Sequence, residues 1–372
     1  MPYNTSSTYQ CISVQDLNDL LIDRWREILV NNDAFRSPYF QPEFVLALDE
    51  VKVPRRPEVV VIRQNDRVVG FFPFQRSRLD GGKPVAGALS DYHGVISEPG
   101  SQWCPSALLE AAGLGSWSFN HLVDPERRFD PYLLPKSNNS TPTGSPWIDL
   151  SSGYERYVEE RRLAGSDYIP KTEALARKLS RDVGQLHFSW HEPNTEVLHE
   201  LMRWKSLQYR ESGLPDAFAA PWTRRLLAHI AKIDKPSFAG VCSVLRAGDD
   251  IAAIHFGMRS KNELHYWFPA YNANYSKYSP GIILLLRMAQ AAADRGITSV
   301  DLGKGDSSYK KRLKSGEVPL GEGWVERPSF VTTIRRWQRL SESREKVGYL
   351  APYIRWPLKA WRRLKWKTMY LD

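Results

Sequence analysis

Between Tyr271 and Leu313 the chain reads YNANYSKYSPG, then a long apolar run, then SVDLGKGDSSYKKRL. Ser279-Pro280-Gly281 has the residue types of a helix start. Serine caps helices, proline suits the first helical position, and glycine lets a ligand approach the backbone. The spacing predicts a helix from Ile282 to Ala293, apolar nearly all round apart from Arg287 and Gln290, hence buried, and ended by Gly296. No acidic residue stands in its first turn. Such a start offers free N–H groups to an anion such as a phosphate. The plain alternative is a well-capped core helix that binds nothing. A β-rich run from Ile297 to Leu302 follows and ends in Gly303-Lys304-Gly305.

The elements that must position this stretch occur twice. Asp16 to Leu29 places Leu17, Leu20, Leu21, Trp25 and Ile28 at helical spacing, and Pro42 opens a second helix. Val59 to Phe74 holds two β-rich runs around the polar pair Asn65-Asp66, a hairpin signal. Shifted by 183, Val61–Ser77 aligns without gaps on Val244–Ser260, with identities at Val61, Arg63, Asp66, Arg76 and Ser77. Shifted by 179, Arg24-Trp25-Arg26 meets Arg203-Trp204-Lys205, and Pro42 meets Pro221. Cys104-Pro105-Ser106 precedes a helical run as Ser279-Pro280-Gly281 does. The shared order predicts two similar α/β units; the alternative is two unrelated units that each contain a hairpin. The expected division is 1–145, 146–330 and a tail, 331–372, with Pro135 to Ser145 as a polar linker.

Composition fits globular domains, with 42% hydrophobic and 12% aromatic residues. No apolar run is long enough to span a bilayer, and MPYNTSSTYQ lacks the features of a signal peptide, so a cytoplasmic setting is expected. The three cysteines, Cys11, Cys104 and Cys242, lie far apart and make neither a disulfide framework nor a metal cluster; no metal is expected. The net charge of +9 is concentrated in residues 331–372, where eleven Lys/Arg face three Asp/Glu. The body is nearly neutral, so no nucleic-acid partner is expected. In the tail Leu358, Trp361 and Leu364 share one helical face ringed by basic residues, the pattern of a helix on an anionic membrane surface. A helix docked on its own domain is the competing reading.

The order hairpin, HYWFPAYN, YSKYSPG, helix, VDLGKGD, SYKKRL resembles the GNAT superfamily. Within it the chain is most similar to the acetyltransferase-like branch named for cellulose and exopolysaccharide biosynthesis, which reads Ala-Tyr-Asp/Asn, Tyr-Ser-Pro-Gly, Asp-x-Gly-x-Gly-x-x-x-Tyr-Lys. Those elements stand here from Ala270 to Lys310, and LSDYHG (Leu89 to Gly94) looks like that branch too. FemABX aminoacyl transferases, tandem GNAT units, share a related aromatic-Lys signature. The resemblance implies a tandem GNAT-like α/β fold of two mixed sheets flanked by helices, with a basic helical tail. It implies an acyl-CoA-dependent N- or O-acyltransferase acting on a sugar acceptor, an amino sugar or nucleotide-linked sugar, in surface polysaccharide biosynthesis.

By the same resemblance, the acyl-CoA lies where Leu264–Tyr271 and Ser299–Gly303 splay apart, with its pyrophosphate on Tyr278 to Ile282. The common GNAT loop reads Arg/Gln-x-x-Gly-x-Gly/Ala; here Lys277-Tyr278-Ser279-Pro280-Gly281 replaces it, and Pro280 removes one N–H donor. Lys277 and the Ser279 hydroxyl are the expected compensation, with Tyr271, Gly303 and Lys304 completing the donor site. Lys310 is the expected charged stabiliser, against the reading of a solvated lysine in a basic run. Asp301 is a candidate base, or a residue that orients the acceptor, or simply a partner of Lys304. Tyr309 is a candidate acid toward the leaving thiolate, or a packing residue. Trp204, Lys205, Asn272 and His255 are candidates to bind the acceptor, His255 equally reading as a satisfied core histidine. The first unit lacks the Gly-Lys-Gly and Tyr-Lys elements, so it is expected to have lost the donor site and to shape the acceptor cleft through Asp91 and Tyr92. The competing functions are FemABX-like aminoacyl transfer and a non-catalytic scaffold in a polysaccharide-synthesis complex.

Overall fold

The computed structural model describes residues 7–77, 80–135 and 144–327. The basic tail and most of the expected linker lie outside the described residues. Two units interleave in sequence: the first takes in residues 7–35, 44–135 and 321–327, and the second 36–43 and 144–320.

In the first unit the order is β1 (Ser7–Ser13), α1 (Asp19–Val30), α2 (Pro42–Glu50), β2 (Pro57–Gln64), β3 (Arg67–Arg76), β4 (Gly81–Lys83), β5 (Ile96–Ser97), α3 (Pro105–Ala111) and β6 (Ser116–Leu122). α2 begins within the short segment assigned to the second unit. The Asn18 side chain caps α1 by accepting from the Leu21 N–H at 3.0 Å, and the helix buries Trp25, Ile28 and Leu29. Leu20, expected on the apolar face, points to solvent instead, because it lies about 140° around the helix from the buried Trp25. The β2–β3 turn sets Asn65 and Asp66 at φ 48° and 64°, the left-handed pair that matches hairpin twist.

The second unit contains β7 (Gly144–Asp149), α4 (Tyr154–Leu163), α5 (Tyr168–Asp182), β8 (Leu186–Ser189), α6 (Thr195–Glu211), α7 (Pro221–Ile230), β9 (Ala239–Ala247), β10 (Asp250–Arg259), β11 (Glu263–Tyr271), α8 (Pro280–Ala293), β12 (Ser299–Asp301), α9 (Ser308–Leu313) and β13 (Gly316–Pro319). The last strand, β14 (Gly321–Glu326), pairs with β6 and so belongs to the first sheet. Both units run through two helices, the second opened by proline, then a hairpin, a further proline-opened helix and a strand.

The first sheet is ordered β1-β2-β3-β4-β6-β14, with β5 on β3; the second is β13-β7-β12-β11-β10-β9-β8. Each is antiparallel but for one parallel pairing, β4 with β6 and β11 with β12, so both sheets are mixed. α8 is buried as its composition predicts. Ile283, Leu284, Leu285, Leu286 and Met288 all enter the second unit's core. Burial of each such side chain contributes about 1.5–3 kcal/mol. Gly296, at φ 75°, lets the chain leave the helix in the left-handed conformation.

Candidate functional site

β11 and β12 pair in parallel at three positions only, Glu263↔Ser299, Leu264↔Val300 and His265↔Asp301. β12 then ends while β11 continues to Tyr271, so the strands part and the β12-facing edge of residues 266–271 is left without a strand partner. Beyond β11, Asn272 caps a 3-10 turn, Ala273–Tyr278, and the chain swings into α8. Ser279 is left-handed at φ 54° and makes no side-chain cap, contrary to the expectation that its hydroxyl would close the helix. The Ile282 and Ile283 N–H groups both turn back to the Ser279 carbonyl, at 3.0 and 3.2 Å. Pro280 has no N–H, so among the described residues the Gly281 N–H is the donor left open in the first turn. A side chain at Gly281 would stand 3.6 Å from the Tyr271 ring and meet nothing else nearby, so there is room beside the Cα of this residue. The Tyr266 hydroxyl donates to the Gly281 carbonyl at 3.2 Å and ties the turn to β11. Tyr278 contributes its backbone only, since its ring is buried and its hydroxyl donates to Asp182 at 3.0 Å. Lys277 is exposed, with its amine 4.9 Å above the Tyr278 ring.

A cleft of about 320 Å³ opens beside this turn, lined by Arg203, Trp204, Gln208, Glu211, Tyr271 and Asn272 among others. The α6 side chains face the end of β11. Arg203 is held by Glu200, with contacts of 2.8 and 2.5 Å. Lys205 does not line the cleft. It lies on the buried stripe of α6, donates to Gln208 Oε1 at 2.8 Å and sits 5.1 Å from the Tyr209 ring centre. Burial lowers its amine to about 8. Its bond to the Gln208 oxygen leaves the Gln208 amide N–H groups for the cleft. Glu211 has no ion-pair partner among the described residues. Gln208 and Glu211 were missed in the sequence; the signal was present, as they follow Trp204 at i+4 and i+7 on one amphipathic helix.

Other expected residues are placed differently. Asp301 is fully buried, and its Oδ1 accepts from Ser145 at 3.1 Å and from the Gly303 N–H at 2.8 Å. His265 Nδ1 stands 2.9 Å from the same oxygen. A carboxylate so enclosed shapes the turn after β12 and reaches no solvent. Glu263, beside it, is raised to about 7 by burial and by the Asp301 charge, although Arg36 contacts it at 2.8 Å. Lys310 is only 9% exposed; its amine donates to the carbonyls of Gly303 and Lys304 at 2.9 and 3.2 Å, pinning the glycine loop. It is therefore no solvated lysine. Burial pushes Tyr309 up to about 12, which makes it a weaker acid than a free phenol. His255 is fully buried, stacked 4.6 Å from Tyr266, and its two ring nitrogens find no hydrogen-bond partner. It does not line the cleft of about 320 Å³. In the first unit Asp91 is half-buried in the loop before β5, and the Tyr92 ring is buried.

Comparison with known proteins places these features in context. Residues 171–311, from α5 into α9, match the family model of the acetyltransferase (GNAT) domain. Among solved structures the chain is similar to FemX, with a TM-score of 0.59, 8% identity, and coverage of 88% of this chain and 99% of that one. It is also similar to the C-terminal (DUF2156) domain of a putative lysylphosphatidylglycerol synthetase from Agrobacterium fabrum, with a TM-score of 0.51, 12% identity, and coverage of 86% and 95%. A tandem GNAT protein from the clavulanic acid biosynthesis pathway aligns over 87% of this chain and 100% of its own, at 11% identity and a TM-score of 0.48. No curated protein matches the sequence. The chain carries a GNAT-like fold built on two mixed sheets, and no described helix is long and apolar enough to cross a membrane.

Proposed function

We propose that this GNAT-type fold transfers an acyl group from acyl-CoA to an amine carried on a sugar. The observation that carries the reading is the position of Tyr271. Its ring borders the open Gly281 amide and also lines the cleft of about 320 Å³, so a donor on α8 and an acceptor against α6 would meet at one side chain.

The fold implies the donor class. The diphosphate lies on the Gly281 N–H, favoured by the positive end of α8 and by Lys277. The pantetheine amides add to the free edge of β11, and the freed N–H groups of that edge stabilise the oxyanion of the tetrahedral intermediate. Gly303 and Lys304, pinned by Lys310, close the β12 side. In this reading Lys310 and Asp301 are positioning residues, and neither touches the reacting atoms.

The cleft suits an amino sugar. Trp204 and Tyr271 supply flat apolar walls, the Gln208 amide supplies donors to hydroxyl oxygens, and the Glu211 carboxylate holds an ammonium. The ammonium first gives one proton to solvent, and the amine nitrogen then attacks the thioester carbonyl. The C–S bond breaks, the second nitrogen proton passes to Glu211, and the thiolate takes up a proton from water. The products are an amide and free CoA. A role in surface polysaccharide synthesis rests on the resemblance of residues 270–310 and of Leu89 to Gly94.

A second reading, aminoacyl transfer of FemABX type, draws on the same carboxylate, because Glu211 would equally hold the ammonium of an aminoacyl group. Thiol release from acetyl-CoA decides between them. Glucosamine should stimulate release and glucose should not, and Glu211→Gln should lower the rate at least about tenfold, a loss of roughly 1.4 kcal/mol of transition-state stabilisation. Transfer of label from aminoacyl-tRNA, with no thiol release for any acceptor, would replace the first reading by the second.

A further inference from the structure

A second cavity, of about 450 Å³, lies at the opposite end of β11, lined by Trp190, His191, Asp234, Arg259, Lys261 and Arg295 among others. Its volume falls within the roughly 300–1,000 Å³ typical of small-ligand sites. The cleft at Tyr271 is about 26 Å away, the length of the strand from Glu263 to Tyr271 at ~3.3 Å per residue.

The lining is rich in donors and poor in acceptors. Arg259 donates to the Pro236 carbonyl and to Asp234, each at 3.2 Å, which uses two of the five N–H donors of a guanidinium. Arg295 donates once, to the Ala291 carbonyl at 2.8 Å, and lies 4.8 Å above the Trp190 ring. Lys261 has no partner among the described residues. His191 Nδ1 accepts from the Cys242 N–H at 3.2 Å, so its neutral ring carries the proton on Nε2, another donor. Burial favours that neutral form. Asp234 is the single carboxylate, and it is largely exposed.

The Trp190 wall of the cavity is also held in place. The Ser243 hydroxyl donates to the Trp190 carbonyl at 2.8 Å, and Glu192 pairs with Arg246 through contacts of 2.7 and 2.8 Å, so the Trp190–Glu192 segment is fixed along β9. Three cations, one fixed imidazole donor and one carboxylate leave net positive charge in a preformed hollow. The chemistry that fits is a small, multiply charged oxyanion with many acceptor atoms.

We propose that this cavity is a phosphate-binding site, separate from the acyl-donor cradle, that takes a soluble diphosphate or phosphate ester. The proposal stands whether or not the chain transfers acyl groups. Titration of the full chain with pyrophosphate, by calorimetry at low salt, tests it. We expect saturable binding of one pyrophosphate while acetyl-CoA fills the other site, weakening as salt screens the charges. Arg259→Ala combined with Lys261→Glu should reduce affinity at least about tenfold, or roughly 1.4 kcal/mol. Lys261→Glu alone, at an exposed residue whose change cannot unfold the chain, should reduce it about threefold. Inorganic phosphate should bind the same site more weakly. Absence of binding at millimolar pyrophosphate, binding untouched by the double variant, or binding lost with Gly281→Asp would each overturn the proposal. The last would mean that the probe had been reading the α8 cradle.

Discussion

α3 and α8 are built to the same plan and differ in length and in the residue after the proline. Each is opened by proline, without a side-chain cap and without an acid in its first turn. α3 is seven residues long, and the N–H of Cys104 before it is taken by the Tyr9 hydroxyl at 3.3 Å. α8 is fourteen residues long, and its Gly281 N–H is open, with clear space beside the Cα. A long helix concentrates positive potential at its start, and a glycine there leaves room for an anion; α3 is half as long and carries Ser106 at the matching position. Two copies of one motif thus give one scaffold turn and one candidate binding turn.

The comparison is most easily broken at the aligned tryptophans. Trp25 is fully buried and stacked on Phe71 at 4.6 Å, so Trp25→Ala should cost about 3–5 kcal/mol by denaturant unfolding. Trp204→Ala, on the cleft wall, should cost roughly 1 kcal/mol or less and act instead on acceptor affinity. Equal losses would mean that both are core residues. Next, Gly281→Asp should weaken acetyl-CoA binding about tenfold or more by setting a carboxylate beside the diphosphate, whereas Ser106→Asp in α3 should leave it unchanged. Two equivalent acetyl-CoA sites per chain would erase the distinction between the units.

A further contrast concerns pH. Lys205 falls from its ordinary 10.5 to about 8, so the folded state disfavours its charged form. Between about 8 and 10.5 the unfolded chain binds the proton and the folded chain does not, so this group's contribution to stability improves as pH rises through that window. Lys205→Met should therefore raise the melting temperature at pH 7, with the gain shrinking as pH approaches 10.5. The aligned Arg26, paired with Asp23 at 2.9 Å on the surface, should show no such dependence in Arg26→Met.

Much of the fold was legible in the sequence because the signals were local. Pro42, Pro105, Pro221 and Pro280 each open a helix. Asn65-Asp66 and Gly248-Asp249 each make the hairpin turn that the 183-residue alignment matched. The buried α8 followed from composition. What could not be read were side-chain directions fixed by distant partners. Asp301 ends a strand, but only Ser145 and His265, brought by other strands, show that its carboxylate is enclosed. Lys310 sits in a basic run, but the return of its amine to Gly303 and Lys304 depends on the loop geometry. His255 lies on a strand buried on both faces from Ala252 to Met258, so alternation along the chain does not decide which side it packs on. Gln208 and Glu211 were marked only by their helical spacing from Trp204.

The return of β14 to β6 bears on how the chain is made. Strand β6 ends at Leu122, and its partner begins at Gly321, with the whole second sheet encoded between them. At a synthesis rate of ~5–20 residues per second, β6 waits on the order of 10–40 s with a bare edge. The half that leaves the ribosome first is the half that is finished last.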